Sequence, residues 1–218
     1  GIGQLASAVN RADLQGILQV WQQGPAELSW LEHSMALSQT QAKVSEPANN
    51  MGLNSLLEQA CQQYGTYLSA LNSDTSNSDL SKRSSTADII ERFNQYRILC
   101  AMRSGDYGVE GINQYVTQAL ANAKLIKPLQ EFYLGRPIII QSNDYNLGLF
   151  NGDIGLILQD EDKPERLMAH FIKADGSLLK VLPARLPSHE TCYAMTVHKS
   201  QGSEFSRVAL VLPPSPSL

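Results

Sequence analysis

Apolar positions recur at three- and four-residue spacing through the first 95 residues, so this stretch reads as helical. Leu5, Ala8 and Val9 begin the pattern, and Leu14, Ile17, Leu18 and Trp21 continue it until Gly24-Pro25 breaks it. Trp30, Leu31 and Met35 suggest a short amphipathic piece or a strand, and a polar stretch follows to about Asn50. Leu57, Cys61, Tyr64, Leu68 and Leu71 form the strongest helical stripe of the chain. Residues 72–86, rich in Ser, Asn and Asp, predict a loop or mobile insert. Ser85 with Asp88 three positions on predicts a capped helix start, and Ile89, Ile90 and Phe93 its apolar face.

From residue 97 the pattern shortens. Arg97 to Met102 is an apolar run that predicts a buried strand, and Arg103-Ser104-Gly105-Asp106-Tyr107-Gly108 a loop after it. Val109, Ile112, Val116, Leu120 and Ala123 mark the next helix, and strand, glycine loop and helix in that order make an α/β unit. Pro137 to Gln141, Ile154 to Leu158, Leu167 to Ile172 and Leu178 to Leu182 read as short strands. Asn151-Gly152 is a hairpin signal and Asp175-Gly176 a turn, so residues 136–190 suggest a small β-barrel. Thr191 to Val197 and Arg207 to Leu212 are two apolar strands around a polar segment, which returns the chain to α/β texture. The simplest reading is an α/β domain with N-terminal helices, covering residues 1–135 and 191–218, with the barrel inserted late in it.

Composition narrows the class. The 218 residues carry a net charge of −4, with 43% hydrophobic and 17% charged residues. No apolar run approaches the ~20 residues of a membrane-spanning helix. Cys61, Cys100 and Cys192 are odd in number and lack CxxC spacing, which argues against a disulfide framework or zinc ribbon and favours a reducing cytosol. His33, His170 and His189 show no partner pattern, so a metal site is not expected. Gly1 in place of an initiator Met, and the Pro-rich last residues, read as a piece of a longer protein.

The chemistry concentrates in Tyr193-Ala194-Met195-Thr196-Val197-His198-Lys199-Ser200-Gln201-Gly202-Ser203-Glu204-Phe205. A buried strand ends there and a run of polar and small residues follows, and ligands gather at the carboxyl ends of strands in open α/β sheets. Gly202 lets the backbone approach a phosphate or take positive φ. Ser200 and Gln201 offer neutral hydrogen bonds, Lys199 a cation, His198 a ring that stacks or donates, and Glu204 an acceptor for a ribose hydroxyl. Most polar loops between strands are only solvated turns, so spacing alone does not decide the matter.

The segment TVHKSQGSEF resembles motif V of superfamily 1 DNA helicases, in the RecD branch. Further stretches resemble the same family: Gly1-Ile2-Gly3-Gln4-Leu5-Ala6, Ala101 to Val109 with Gly111-Ile112-Asn113, Gly135-Arg136-Pro137, Asn143-Asp144, Leu147 to Gly155, and Leu186 to Thr191. The resemblance is dense over residues 97–212 and looser over 10–95. It implies a RecA-like second motor domain with an inserted SH3-like barrel. It also implies a 5′-to-3′ helicase that hydrolyses ATP with Mg²⁺ and works with RecB and RecC, as exodeoxyribonuclease V, in repair of double-strand breaks by recombination in the bacterial cytoplasm. By the same resemblance Thr196 and His198 touch single-stranded DNA, Gln201 and Gly202 lie near the nucleotide phosphates, and Glu204 near its ribose. Lys199 and Ser200 can serve either side, while Gln141, Asn143 and Arg103 are weaker candidates for the DNA track.

Much is missing for catalysis. No GxxxxGK[ST] occurs, and Asp160-Glu161-Asp162 reads as a solvated loop rather than a Mg²⁺ site. The resemblance places the motif IV arginine before Gly1 and motif VI after Leu218. Phosphoryl transfer needs a phosphate cradle, a metal site and cationic stabilisation, so the chain alone is not expected to bind Mg²⁺-ATP productively or to hydrolyse it. Arg97, Arg103, Lys124, Lys127, Arg136 and Lys199 are the candidates for a local positive strip, against an acidic whole. The alternative reading is a non-catalytic module that docks protein or DNA. A hydrolase built on Cys192 or His198 lacks the base and orienting acid it would need. Tyr64 and Tyr67 can in principle stack on bases, but the helical stripe accounts for them as core.

Overall fold

The computed structural model describes residues 1–29, 31, 51–76 and 84–213, which divide into two units, Gly1–Ser55 and Leu56–Leu218. In the first unit, helices α1 (Ile2–Asn10) and α2 (Leu14–Gln22) pack together. The Asp13 carboxylate accepts from the Gly16 amide and starts α2, and Gly24, with φ +54°, follows its end where the Gly-Pro signal lies. Trp30 and Met35 lie outside the described residues.

Helix α3 (Met51–Ser76) extends through Asn72–Ser76, where the polar composition suggests a loop; of the rest of that expected insert, 77–83 lies outside the described residues, Ser84 and Ser85 are non-helical, and Thr86 begins the next helix. The buried stripe of α3 in the second unit is Leu56, Ala60, Tyr64, Tyr67 and Leu68, rotated from the predicted one so that Leu57 and Cys61 are only half-buried. Helix α4 (Thr86–Asn94) starts on the expected capping box of Ser85 and Asp88 and buries Ile89, Ile90 and Phe93. Both tyrosines of α3 are fully enclosed, Tyr64 against Phe93, Tyr96 and Tyr193 and Tyr67 against Phe93, so neither can stack on a base.

Strand β1 (Tyr96–Cys100) is the centre of a three-stranded parallel sheet, with β7 (Ala194–Thr196) on one side and β8 (Arg207–Val211) on the other. Ile98 pairs with Ala194, and Tyr96 to Cys100 run beside Arg207 to Val211. Helix α5 (Val109–Asn122) follows the glycine loop and buries Val109, Ile112, Asn113, Val116 and Leu120; Ala123 is exposed just past its end.

The second sheet is antiparallel, in the order β5-β4-β3-β2-β6, from β2 (Pro137–Ile140), β3 (Ile154–Gln159), β4 (Leu167–Ile172), β5 (Leu178–Val181) and β6 (His189–Thr191). No ladder joins β5 to β6 among the described residues, so the sheet is open by pairing at that seam. Ile138, Ile140, Ile157, Ala169, Phe171 and Val181 fill one face, and Leu149, Leu147, Phe132 and Leu186 from the connections cover it. The expected strand over Thr191–Val197 is two strands: Thr191 ends β6, and β7 begins after Cys192-Tyr193. Asn151-Gly152 does not make a two-residue hairpin. It precedes β3 at the end of a connection from Gln141 to Asp153, and Gly152, with φ +99°, donates to the Ile140 carbonyl.

Strand β2 is buried on both faces. Ile138 and Ile140 belong to the core of the antiparallel sheet, while Ile139 packs with Cys192 and Met195, flanked by Leu99, Ile154 and Phe205. The three consecutive isoleucines reflect a strand shared by two cores. Asp160 is also buried: Arg166 and Lys180 pair with its carboxylate, and the Arg166 hydrogen bond holds its carboxyl below the usual range. The acidic run is thus solvated only at Glu161 and Asp162. Among the described residues no helix is long and apolar enough to cross a membrane, and no group of three or more metal-ligating side chains occurs.

Three successive carbonyls at the junction of the sheets are held by buried side chains from three elements. Arg97 of β1 donates to Cys192 at 2.9 Å, Tyr64 of α3 to Tyr193, and Asn113 of α5 to Ala194 at 3.0 Å. The Asn113 carbonyl also accepts from the Ala194 amide at 2.9 Å. Since β7 pairs only with β1 among the described residues, the Asn113 amide stands where a neighbouring strand would, meeting both backbone polar groups of Ala194. Asn113→Ala therefore lowers the unfolding free energy by about 2 kcal/mol, the cost of two buried unpaired backbone groups, in urea titration; Gln114→Ala, exposed on the next position of α5, leaves the midpoint unchanged.

Candidate functional site

Two connections leave the carboxyl end of the parallel sheet. The first is the glycine loop after β1, which folds back on itself: Val109 donates to the Met102 carbonyl and Glu110 to that of Arg103, both at 3.1 Å. A Cβ on Gly108 would collide with the Ser104 carbonyl, and one on Gly111 would lie 2.6 Å from that of Gly105. The glycines thus serve a tight self-contained turn, and its carbonyls already occupy the first amides of α5. Arg103 projects from this loop, half exposed, with its guanidinium 2.9 Å from Glu190 and 3.8 Å from Glu110.

The second connection is the motif-V-like segment. Because β7 and β8 are both parallel to β1 and lie on opposite sides of it, residues 197–206 must carry the chain from the carboxyl to the amino end of the sheet. The segment is therefore a crossover rather than a turn. It is tied at its start by Val197 donating to the Cys100 carbonyl at 3.1 Å, and at its end by Arg207 donating to Gln95 at 2.9 Å. Phe205 packs beside Cys192 and Met195, and the Arg97 guanidinium lies 5.3 Å from its ring centroid.

Between these anchors the candidate residues face solvent. His198–Ser200 form a 3₁₀ turn, with His198, Gln201, Gly202 and Glu204 exposed and Thr196, Lys199 and Ser200 half-buried. The Thr196 hydroxyl accepts from the Lys199 amide at 3.3 Å, which leaves it a proton to donate; the Ser200 hydroxyl bonds to the Val197 carbonyl at 2.8 Å. Lys199 Nζ donates to Gln141 Oε1 at 2.7 Å, so the end of β2 and the crossover, two of the predicted site elements, meet directly. Asn143 lies on the connection that Gln141 begins, where its carbonyl accepts from the Asn151 amide at 2.8 Å. Arg103 stands apart from this contact, engaged by the two glutamates.

The expected positive strip is corrected at two positions. Arg97 is fully buried and stacked 4.2 Å from Phe93, and Arg136 is buried with its guanidinium on Thr191 and the Glu131 carbonyl. Arg103, Lys124 and Lys127 are exposed and Lys199 half-buried. Cys192 is enclosed, and burial pushes its thiol up to about 11, so it is no nucleophile at neutral pH. Sequence reading names Asn113 only within a family-like stretch and gives it no role; its signal is a polar residue between the apolar helix positions Ile112 and Val116. Gly202 takes φ +83° with open space around the position a Cβ would fill, so the glycine is required by backbone conformation alone. Gly202→Ala costs about 1 kcal/mol of stability in urea titration, from strain rather than collision.

No family model matches the chain. The curated relatives it matches include the RecBCD enzyme subunit RecD of Haemophilus influenzae, 32% identical across 98% of this chain and 31% of that protein. The chain therefore spans about a third of the length of that relative. The RecBCD enzyme subunit RecD of Mycobacterium tuberculosis is 40% identical over 55% of this chain and 20% of that protein. The ATP-dependent RecD2 DNA helicase of Deinococcus radiodurans is 35% identical over 53% of this chain and 16% of its own length. Among solved structures, Bacteroides Pif1 bound to ssDNA gives a TM-score of 0.34 at 17% identity, covering 57% of this chain and 39% of that one. Pif1 helicase with ADP-AlF3 and ssDNA gives 0.34 at 20%, covering 76% and 43%. Likeness at those scores carries no argument, and the sequence relatives decide: the chain belongs to the RecD-type superfamily 1 helicases.

Proposed function

We propose that this chain is the second, RecA-like motor domain of an ATP-dependent DNA helicase of the RecBCD type, with residues 136–190 as an SH3-like barrel inserted before the return to the motor at 191–218. The observation that carries the reading is the crossover: polar residues of one segment stand exposed between anchors at both ends of a parallel sheet, with Gly202 in the left-handed region. Such a segment can present one set of groups to a nucleotide and another to a DNA strand, so that a change at one is felt at the other. Gln201, Gly202 and Ser200 would face the phosphates and Glu204 the ribose, while Thr196, His198 and Lys199 would meet single-stranded DNA together with Gln141 and Asn143. Arg103 would join the DNA track only by leaving Glu190 and Glu110 for a phosphate. RecB and RecC would be the partner subunits, on the name RecBCD that its relatives carry, and strand-break repair in the bacterial cytoplasm would be the setting that the resemblance of its motifs implies.

The whole motor would need more than this chain supplies. A P-loop and a Mg²⁺-binding carboxylate from the first motor domain would complete the ATP site, with a cationic group opposite the γ-phosphate. With a net charge of −4, the chain neutralises few phosphates by itself, so its own DNA affinity would be weak.

In the full-length protein, His198→Ala and Gln201→Ala each lower DNA-stimulated ATP hydrolysis at least tenfold while the urea midpoint stays put. Unchanged hydrolysis with failed subunit assembly would instead favour a docking module. The purified 218-residue chain shows no ATP turnover above buffer in a phosphate-release assay; turnover specific to ATP would refute this.

A further inference from the structure

Among the described residues, the exposed large aromatic side chains are Tyr145, 78% exposed, and Phe150, 44% exposed. Both sit on the connection from Gln141 to Asp153, and their rings meet edge to face at 5.9 Å. The connection is well anchored. Asp144 and Leu149 form an antiparallel bridge, Leu149 is fully buried, and the Asp144 carboxylate accepts from the Leu147 amide at 3.0 Å. The Asp153 carboxylate accepts from the Phe150 amide at 2.9 Å, and Asn143 bonds both the Asn151 amide and, at 3.3 Å, the Tyr145 hydroxyl. The connection thus holds its shape through Leu149 and its polar bonds, leaving the aromatic pair turned to water.

The surroundings select the occupant. Lys173 donates to the Gly148 carbonyl and places its ammonium 5.4 Å from the Phe150 ring centroid. Of the nearby carboxylates, Asp144 and Asp153 are engaged by backbone amides of the same connection, and Asp175, which feels the charge of Lys173, accepts from the amide and hydroxyl of Ser177. An open aromatic face beside a cation suits a nucleobase with its phosphate. The connection also begins at Gln141, which accepts from Lys199 of the crossover. We infer that Tyr145 and Phe150 are a stacking platform for a base of single-stranded DNA, extending the strand's path from the crossover onto the antiparallel sheet. This rests on the motor reading above, and adds a contact made by stacking rather than by charge.

The test uses the full-length protein and a fluorescent oligo-dT strand, intact or carrying one base-less position moved stepwise along it. Tyr145→Ala and Phe150→Ala weaken binding of the intact strand on the order of tenfold, as loss of a base stack does, while Tyr145→Trp retains it. The slope of affinity against salt is unchanged, because no phosphate contact is removed. At one position the missing base weakens wild-type binding but not that of Tyr145→Ala, which identifies the stacked base. Wild-type affinity in both alanine variants overturns the platform, and lost subunit assembly alongside it would mark the pair as a protein contact. If His198→Ala also abolishes DNA-stimulated hydrolysis in that case, the motor reading survives alone; if the wild-type protein binds no strand, both fall.

Discussion

The site depends on how the three peptide groups from Cys192 to Ala194 are held. They join the antiparallel sheet to the parallel one, and the chain passes through a fully buried region where no water can meet their carbonyls. Arg97, Tyr64 and Asn113 meet them one after another, from a strand and two helices. A charged guanidinium in that place is costly unless its donors are used. Here its two terminal nitrogens have the Cys192 carbonyl and the Asn94 side chain at 3.1 Å, and the group lies against Phe93 and Phe205, while its buried Nε has no hydrogen-bond partner among the described residues. Because Phe205 belongs to the crossover, Arg97 ties both the entry to the site and its exit to the same central strand. The polar segment between can then be exposed without being loose at its ends.

The same logic explains why β2 is so apolar. A half-buried antiparallel strand would alternate, but Ile138-Ile139-Ile140 does not, because its second face closes the core beneath Cys192, Met195 and Phe205. Just beyond, Gln141 gives up its carbonyl to Lys199, so β2 supports the crossover by packing and by a hydrogen bond.

Much of this was legible in the sequence. Periodicity located α1, α2, α4 and α5, the Ser85–Asp88 spacing located a helix start, and short apolar runs located β1 to β5. The candidate segment was found because small and polar residues followed an apolar run, a local pattern. What escaped was set by distant contacts. The rotated stripe of α3 follows from where Phe93, Tyr96 and Tyr193 come to lie, which no window along α3 contains. Asn72–Ser76 stayed helical despite composition that favours turns. Arg97 and Arg136 read as surface cations because charge is usually solvated, and only the fold supplies the carbonyls and rings that hold them. The crossover looked like a turn because parallel pairing on both sides of β1 is a property of the sheet, not of the ten residues in between.

The shared strand also limits how the molecule can be taken apart. An inserted domain that touches its host only through two linkers can be excised, shortened or exchanged between relatives with little harm. Here removal of residues 136–190 would strip Ile139 and Ile154 from the core they share with Leu99, Cys192, Met195 and Phe205, and leave Lys199 without its acceptor. The antiparallel sheet is grafted onto the parallel one rather than appended, so chimaeras that swap residues 136–190 have to carry the facing residues Leu99, Cys192, Met195 and Phe205 along with them.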